Sequence, residues 1–198
     1  MENKPPLHLD HEEGAHTVFG FWIYLLTDLM FFGVLFATYS VLSRAGTFGG
    51  ITPKEILSFP FATGQSFLML LSALTAGIGG VCVHKKQKGG LLFFFSLTLF
   101  LGLFFLKRMG GECSALFAQG YDWTSTGFLS IYFTLMGTFA LHVVLGIVWI
   151  VLFILLLLRE KELSAVSVRR WTCLRLFWQF MNLIWVFIFT FVYGLGAI

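Results

Sequence analysis

Long apolar stretches separated by short polar ones make up most of this chain. Five of them are bounded by charged residues, Gly or Pro, and they cover about residues 18–42, 60–84, 91–110, 127–158 and 174–197. An α-helix needs roughly 20 apolar residues to cross a bilayer. The pattern therefore predicts an all-α integral membrane protein with five transmembrane helices, in which residues 18–198 form the membrane domain.

Two stretches depart from the usual length. The fourth is longer than the hydrocarbon core, so its helix must tilt or emerge on one side. The third is short, and we expect its helix to extend past Lys107 and Arg108 into the headgroup region, where long basic side chains reach the interface.

The last stretch carries its polar side chains on one side. From Leu176 to the end there is no charged residue. Trp178, Gln179, Asn182 and Trp185 are spaced three and four residues apart, so they share one helical face. We interpret this face as a seam against another helix.

Composition supports the membrane assignment. Hydrophobic residues make up 58% of the 198 positions and charged residues 12%, with 25 phenylalanines and a mean hydropathy of +0.86. Soluble domains carry about 25% charge. The three cysteines stand apart, so neither a disulfide framework nor a zinc site is expected.

Residues 1–17 are predicted to be a polar cytoplasmic tail. The segment is acidic and lacks the apolar core and cleavage site of a signal peptide. We expect His8, His11 and His16 to be solvated. A loose metal site is the alternative, but no cysteine or ordered element would fix its geometry.

The basic residues predict the orientation. Nine lie on the side of the N-terminus and four on the opposite side: Lys4, Lys85, Lys86, Lys88, Arg159, Lys161, Arg169, Arg170 and Arg175 against Arg44, Lys54, Lys107 and Arg108. Cytoplasmic loops are enriched in Lys and Arg, so the N-terminus should be cytoplasmic and the C-terminus outside. No nucleic-acid-binding motif accompanies these charges.

Two ionisable residues stand well inside the predicted helices. Asp28 lies in the middle of the first, and it is either a proton-linked or lipid-facing carboxyl or an acid that locks two helices together. His142 lies in the fourth, as a packing histidine or as a ligand to a partner's cofactor. A single intramembrane histidine cannot by itself form a bis-histidine haem or a histidine-ligated copper centre.

Two further polar residues are candidates of lesser weight. Gln65 lies among small and polar residues of the second stretch, which is typical of close helix packing. Glu112 follows Arg108 by one helical turn, so we expect an interfacial ion pair of small energetic value.

Four segments together resemble one family. They are FGFWIYLLTDLMFFGVLFATY at 19–39, TGQSFLMLLSA at 63–73, GFLSIYFTLMGTFALHVVLG at 127–146 and LFWQFMNLIWVFIFTFVY at 176–193. The third is similar to the GTxGLHV region, and the fourth to the WHFxDxxW signature, of subunit III of the haem-copper terminal oxidases. Within that family the chain looks most like the ubiquinol oxidases of the cytochrome bo type.

The chain departs from the family pattern at several ionisable positions. Phe139 stands where the family has a histidine, and Gln179 and Asn182 stand where it has the His and Asp of WHFxD. Neutralising all three together avoids leaving one buried charge unpaired. We expect the polar face of the last helix to meet the turn at 139–142 as a neutral seam.

The resemblance also bears on two other positions. Gln65 stands where the quinol oxidases have an acid, and Glu112 corresponds to a glutamate of the family. Together with the neutral seam, the change at Gln65 argues against proton handling by the polar network but leaves its packing role intact.

What the resemblance implies is a five-helix bundle that holds no cofactor and is not itself catalytic. It would dock on subunit I of the oxidase, which carries the haems and copper, oxidises quinol, reduces oxygen to water and pumps protons. Subunits II and IV and membrane lipids are the other expected partners, in the bacterial inner membrane. The family subunit supports assembly, stability and proton uptake, and a bound phospholipid is compatible with it.

Two alternatives stay open at this point. One is subunit III of a cytochrome c oxidase, because the electron donor would bind elsewhere. The other is a small proton-coupled transporter that uses Asp28, although the chain lacks the inverted repeats and broken helices common in such proteins.

Overall fold

A computed structural model describes residues 7–43, 57–85, 87–160 and 164–194, with the backbone alone at 7–15, 84 and 165. These residues form α1 (Leu7–Leu42), α2 (Phe59–His84), α3 (Lys88–Ala118), α4 (Gly127–Arg159) and α5 (Ala165–Ile188), followed by a π-helical segment, Phe189–Gly194. All five α-helices are long and apolar enough to cross a membrane. The prediction of an all-α, five-span protein is confirmed.

Hydroxyl side chains define where three helices begin. Thr126 Oγ1 accepts a hydrogen bond from the Leu129 amide at 3.1 Å, and Ser58 and Ser164 cap α2 and α5 in the same way. Such caps satisfy amides that have no partner within the helix. Pro60 in the first turn of α2 adds a residue whose missing amide proton costs nothing there.

Several helix ends lie outside the predicted apolar limits. α1 begins at Leu7 and α5 at Ala165, not near 18 and 174, because polar residues continue both helices beyond the lipid. α3 runs to Ala118, which confirms that it extends past Lys107 and Arg108. His8 and His11 lie outside the described side chains.

Helices α2 to α5 form a four-helix ring, with α1 outside it. α2 packs against α3 and α5, while α4 packs against α3 and α5, so the ring closes. α1 lies chiefly against α4 and α5. On the inward side of α1, Leu25, Phe32 and Tyr39 are buried at intervals of seven residues, which is the spacing of a helix–helix seam.

Trp178 occupies the centre of the ring between two glycines. A Cβ on Gly102 of α3 would lie 2.9 Å from its ring, and a Cβ on Gly146 of α4 would lie 3.0 Å from it. The indole N–H donates to Ser72 Oγ of α2 at 3.1 Å. One side chain of α5 thus contacts the other three helices of the ring, and the glycines leave the space that it fills.

Candidate functional site

The two intramembrane ionisable residues face each other between α1 and α4. His142 Nε2 lies 3.8 Å from Asp28 Oδ2, with side chains 13% and 14% exposed. Asp28 reaches this position because it continues the buried seam of α1 between Leu25 and Phe32. The sequence predicted both residues individually but not their pairing.

Hydrogen bonding on the far side of the imidazole fixes the orientation of the ring. His142 Nδ1 lies 2.8 Å from the Thr138 carbonyl, which can only accept, so Nδ1 donates to it. Nε2 is thereby turned toward Asp28 Oδ2, at a separation that is too long for a hydrogen bond but within reach of an electrostatic contact.

The pair is largely closed off from its surroundings. Asp28 Oδ2 is buried and has no hydrogen-bond partner within 3.5 Å among the described residues. The Phe32 ring, itself fully buried, stands edge-on to His142 at 5.3 Å between centroids. Loss of either member would leave the other without its counterpart in a region of low polarity, which is costly.

The polar face of α5 meets α2, not the 139–142 turn of α4. Besides the bond from Trp178 to Ser72, Trp185 Nε1 donates to Ser66 Oγ at 3.0 Å. Gln179 Nε2 donates to the Ala73 carbonyl at 3.1 Å. The predicted partner was wrong for these hydrogen bonds, because antiparallel packing aligns the serines of α2 with the tryptophans of α5.

Phe139 contributes to the seam through its ring alone. It lies 5.4 Å from the ring of Trp185 and 5.9 Å from that of Phe105, which are themselves 4.9 Å apart. Asn182 bonds to the Trp178 carbonyl of its own helix at 2.9 Å, and its buried Oδ1 has no partner in the described part of the chain. This part of the seam is apolar packing around one incompletely satisfied amide.

Gln65 is fully buried between α2 and α3. Its Nε2 donates to the Phe105 carbonyl at 3.3 Å, and its Oε1 has no partner among the described residues. An ionised acid here would be buried beside a backbone carbonyl, which repels negative charge. The amide suits this environment, because it can donate to that carbonyl.

Glu112 does not form the ion pair expected from its spacing. Among the described residues, the ion contact within 4 Å is that of Asp28 with His142. Glu112 Oε2 instead accepts from the Tyr193 hydroxyl at 3.0 Å, and Tyr132 lies 3.2 Å from that hydroxyl. The two tyrosines were missed because only the tertiary fold brings three separate helical segments together here.

No group of three or more His, Cys, Asp or Glu side chains suited to a metal ion occurs in the described part of the chain. A scan of protein-family models finds no match. The cytochrome bo(3) ubiquinol oxidase subunit 3 of Pseudomonas aeruginosa is 37% identical over 188 residues, which cover 95% of this chain and 89% of that protein. The chain belongs to the haem-copper oxidase subunit III family.

Other relatives agree with this assignment. The protein of the same description from Pseudomonas putida is 36% identical over 95% of this chain and 90% of its own length. The quinol oxidase subunit 3 of Bacillus spizizenii is 34% identical over 99% and 96%. These names favour neither a cytochrome c oxidase subunit nor a transporter.

Family membership fixes the setting of the Asp28–His142 pair. The chain is a multi-pass membrane protein, and as a subunit III it is part of a multisubunit oxidase, an oxidoreductase complex. The resemblance predicted from the four segments is confirmed. The pair therefore lies within one subunit of a larger assembly, where it connects α1 to the ring.

Proposed function

We propose that this chain is a non-catalytic subunit of a proton-pumping quinol oxidase of the bacterial inner membrane, where it stabilises the catalytic subunit I and supports its proton uptake. The observation that carries the proposal is the match to quinol oxidase subunits 3 over nearly the whole chain. Subunit I would hold the haems and copper and catalyse quinol oxidation coupled to oxygen reduction, and subunits II and IV would complete the complex.

The proposed orientation has the N-terminus in the cytoplasm and the C-terminus outside. The odd number of candidate membrane-spanning helices supports ends on opposite sides of the membrane. The larger number of Lys and Arg residues on the N-terminal side supports the choice between the two directions.

In this proposal the Asp28–His142 pair holds α1 against the ring. Each residue gives the other a polar counterpart, so neither ionisable group stands alone in lipid, where an unpaired one is costly. A change at either residue therefore alters how firmly α1 is attached to α4.

The neutral seam of α5 has a packing role. Its hydrogen bonds run from indole and amide N–H groups to α2 acceptors, and none of them involves an ionisable group. Interhelical bonds of this kind contribute about 0.6 kcal/mol each in membranes. Proton uptake would therefore be supported through the stability of the complex and through Asp28, and not through this seam.

The test is an Asp28→Asn variant of the whole oxidase, with Thr27→Val as the matched control. Thr27 is exposed and bonds to the Ile23 carbonyl of its own helix, so its replacement leaves the pair intact. We expect Asp28→Asn to assemble with full haem content but to inactivate about tenfold faster during turnover, the factor that corresponds to 1.4 kcal/mol. Thr27→Val should inactivate at the normal rate.

Two results would contradict the proposal. Unchanged inactivation in Asp28→Asn would place this carboxyl among ordinary packing residues. Haem absorbance in the isolated chain, or failure of the chain to co-purify with a haem-containing subunit, would contradict the non-catalytic role within an oxidase.

A further inference from the structure

A groove between α2 and α3 presents two opposite charges to one cavity. The cavity has a volume of about 420 Å³ and lies where α2 begins and α3 approaches its end. Arg108 and Glu112 line it on α3, and Ser58 and Phe61 line it on α2. This site is separate from the Asp28–His142 pair, which lies between α1 and α4.

Arg108 is positioned without forming a close ion pair with a carboxylate of the described residues. Its guanidinium lies over the Phe61 ring, with 5.1 Å between Cζ and the ring centroid. The guanidinium also packs against Gly64, where a Cβ would be 3.4 Å from Nη2. No carboxylate of the described residues comes within 4 Å of it, so N–H donors are left for an anion.

Glu112 is held from behind by two tyrosines. The Tyr193 hydroxyl donates its one proton to Oε2 at 3.0 Å, so the Tyr132 hydroxyl, 3.2 Å away, donates to Tyr193. Both tyrosines are buried, which fixes the carboxylate. Oε1 accepts no hydrogen bond from the described residues and is available to a donor at the cavity.

The cavity lies at headgroup depth. Near the same end of the bundle, Trp123 is 60% exposed and Phe117 is 40% exposed, and their rings contact each other at 5.4 Å. Exposed aromatic side chains of this kind mark the boundary between lipid and water. Ala115 and Leu116 add an apolar wall that is suitable for the start of an acyl chain, and Gln119 adds a polar side chain just beyond the end of α3.

We propose that this groove binds the headgroup of a phosphatidylethanolamine lipid. The phosphate would accept charge-assisted hydrogen bonds from Arg108, and the primary ammonium would donate to Glu112. The two side chains lie one helical turn apart on α3, so both charges of one headgroup can be bound together.

The same side chains discriminate against other headgroups. An anionic glycerol headgroup offers Glu112 no cation and places a second negative charge nearby. A choline headgroup has a cation but no N–H to donate to the carboxylate. The aromatic face that could bind a quaternary ammonium, that of Phe61, is already covered by Arg108.

The experiment measures lipid binding by native mass spectrometry. The full-length chain, purified with its accompanying subunits, is stripped of lipid and titrated with ethanolamine, choline or glycerol phospholipids of identical acyl chains. We expect the ethanolamine lipid to bind about tenfold more tightly than the choline lipid. Glu112→Gln should abolish this preference, whereas Arg108→Gln should weaken the binding of both lipids, because both carry the phosphate. Lys107→Gln, an exposed neighbour, should retain both the affinity and the preference.

A second variant guards against loss of folding. Ala115→Leu removes no polar contact but fills the groove, so it should abolish the preference while leaving assembly intact. Equal binding of all three lipids to the unaltered protein would overturn the proposal, and so would tighter binding of the anionic lipid after Glu112→Gln with unchanged ethanolamine binding. If soluble phosphoethanolamine displaced the lipid completely at equal concentration, the site would be one for a free solute, and the proposal of a lipid site would be overturned.

Discussion

The glycines beside Trp178 allow a stringent test of the packing at the centre of the ring. A methyl group on Gly146 would lie 3.0 Å from carbons of both Phe177 and Trp178, and one on Gly102 would lie 2.9 Å from Trp178. Carbon atoms pack best at about 3.5–4.0 Å. Gly137, also on α4, has nothing within 4 Å of the same position and is the matched control.

The magnitude follows from two opposing terms. Alanine stabilises a helix by about 1 kcal/mol relative to glycine, whereas overpacking a core costs about 1–3 kcal/mol. Trp178 cannot move aside, because its ring lies between the two glycines and its N–H is bonded to Ser72. We expect Gly146→Ala and Gly102→Ala to change the free energy of unfolding by a net loss of about 0–2 kcal/mol. Gly137→Ala, which meets no neighbour, should raise it by about 1 kcal/mol, so the two kinds of variant differ by about 1–3 kcal/mol.

Reversible unfolding in mixed micelles, followed by tryptophan fluorescence, gives these values. Adding Trp178→Phe shortens the ring and should reduce the penalty of Gly146→Ala, which a double-mutant cycle reports as coupling. If Gly146→Ala and Gly102→Ala are as stable as Gly137→Ala, the Trp178 ring has room to move and the expected overpacking is refuted.

The remaining predictions concern single polar groups. Asn182 and Gln65 each have an amide oxygen with no partner among the described residues, but they differ in where the amide nitrogen bonds. Asn182 bonds to its own helix, so Asn182→Leu should leave the free energy of unfolding unchanged or raised. Gln65 bonds to another helix, so Gln65→Leu should be less stable than Asn182→Leu by about 0.6 kcal/mol; a larger loss for Asn182→Leu would contradict this. Hydrogen bonds from Thr124 and Ser125 hold the pKa of exposed Asp122 below its ordinary value. A carboxylate with a lowered pKa stabilises the folded loop at neutral pH, and this stabilisation is lost as the pH falls through that pKa. Amide protection in the loop, corrected for intrinsic exchange, should therefore decrease in acid. Asp122→Asn should remove this pH dependence.

The five helices could be predicted because lipid-facing helices are apolar on all sides, which composition reveals directly. Their ends could not, since α5 is extended by a polar turn capped at Ser164, and nothing in hydropathy marks a polar helix. The hydroxyl residues that precede the apolar stretches were the available signal for where these helices begin.

The contacts of the candidate site were predictable only in part. The sequence placed Trp178 and Trp185 on one face but could not say which helix they meet, since that depends on the arrangement of all five. Ser66 and Ser72, spaced along α2 much as the tryptophans are along α5, were a usable signal. Asp28 and His142 could have been paired by the argument that two lone ionisable groups in lipid are each costly.

The position of α1 outside the ring also determines the order in which the protein can be completed. α1 precedes the other four helices described, yet it packs chiefly on α4 and α5, which are synthesised after α2 and α3. Asp28 is therefore synthesised long before its partner, because His142 lies 114 residues further along the chain. Until then it has no contact with His142. The final docking of α1 therefore needs the C-terminal helix, and a chain truncated before α5 would leave its first helix incompletely packed.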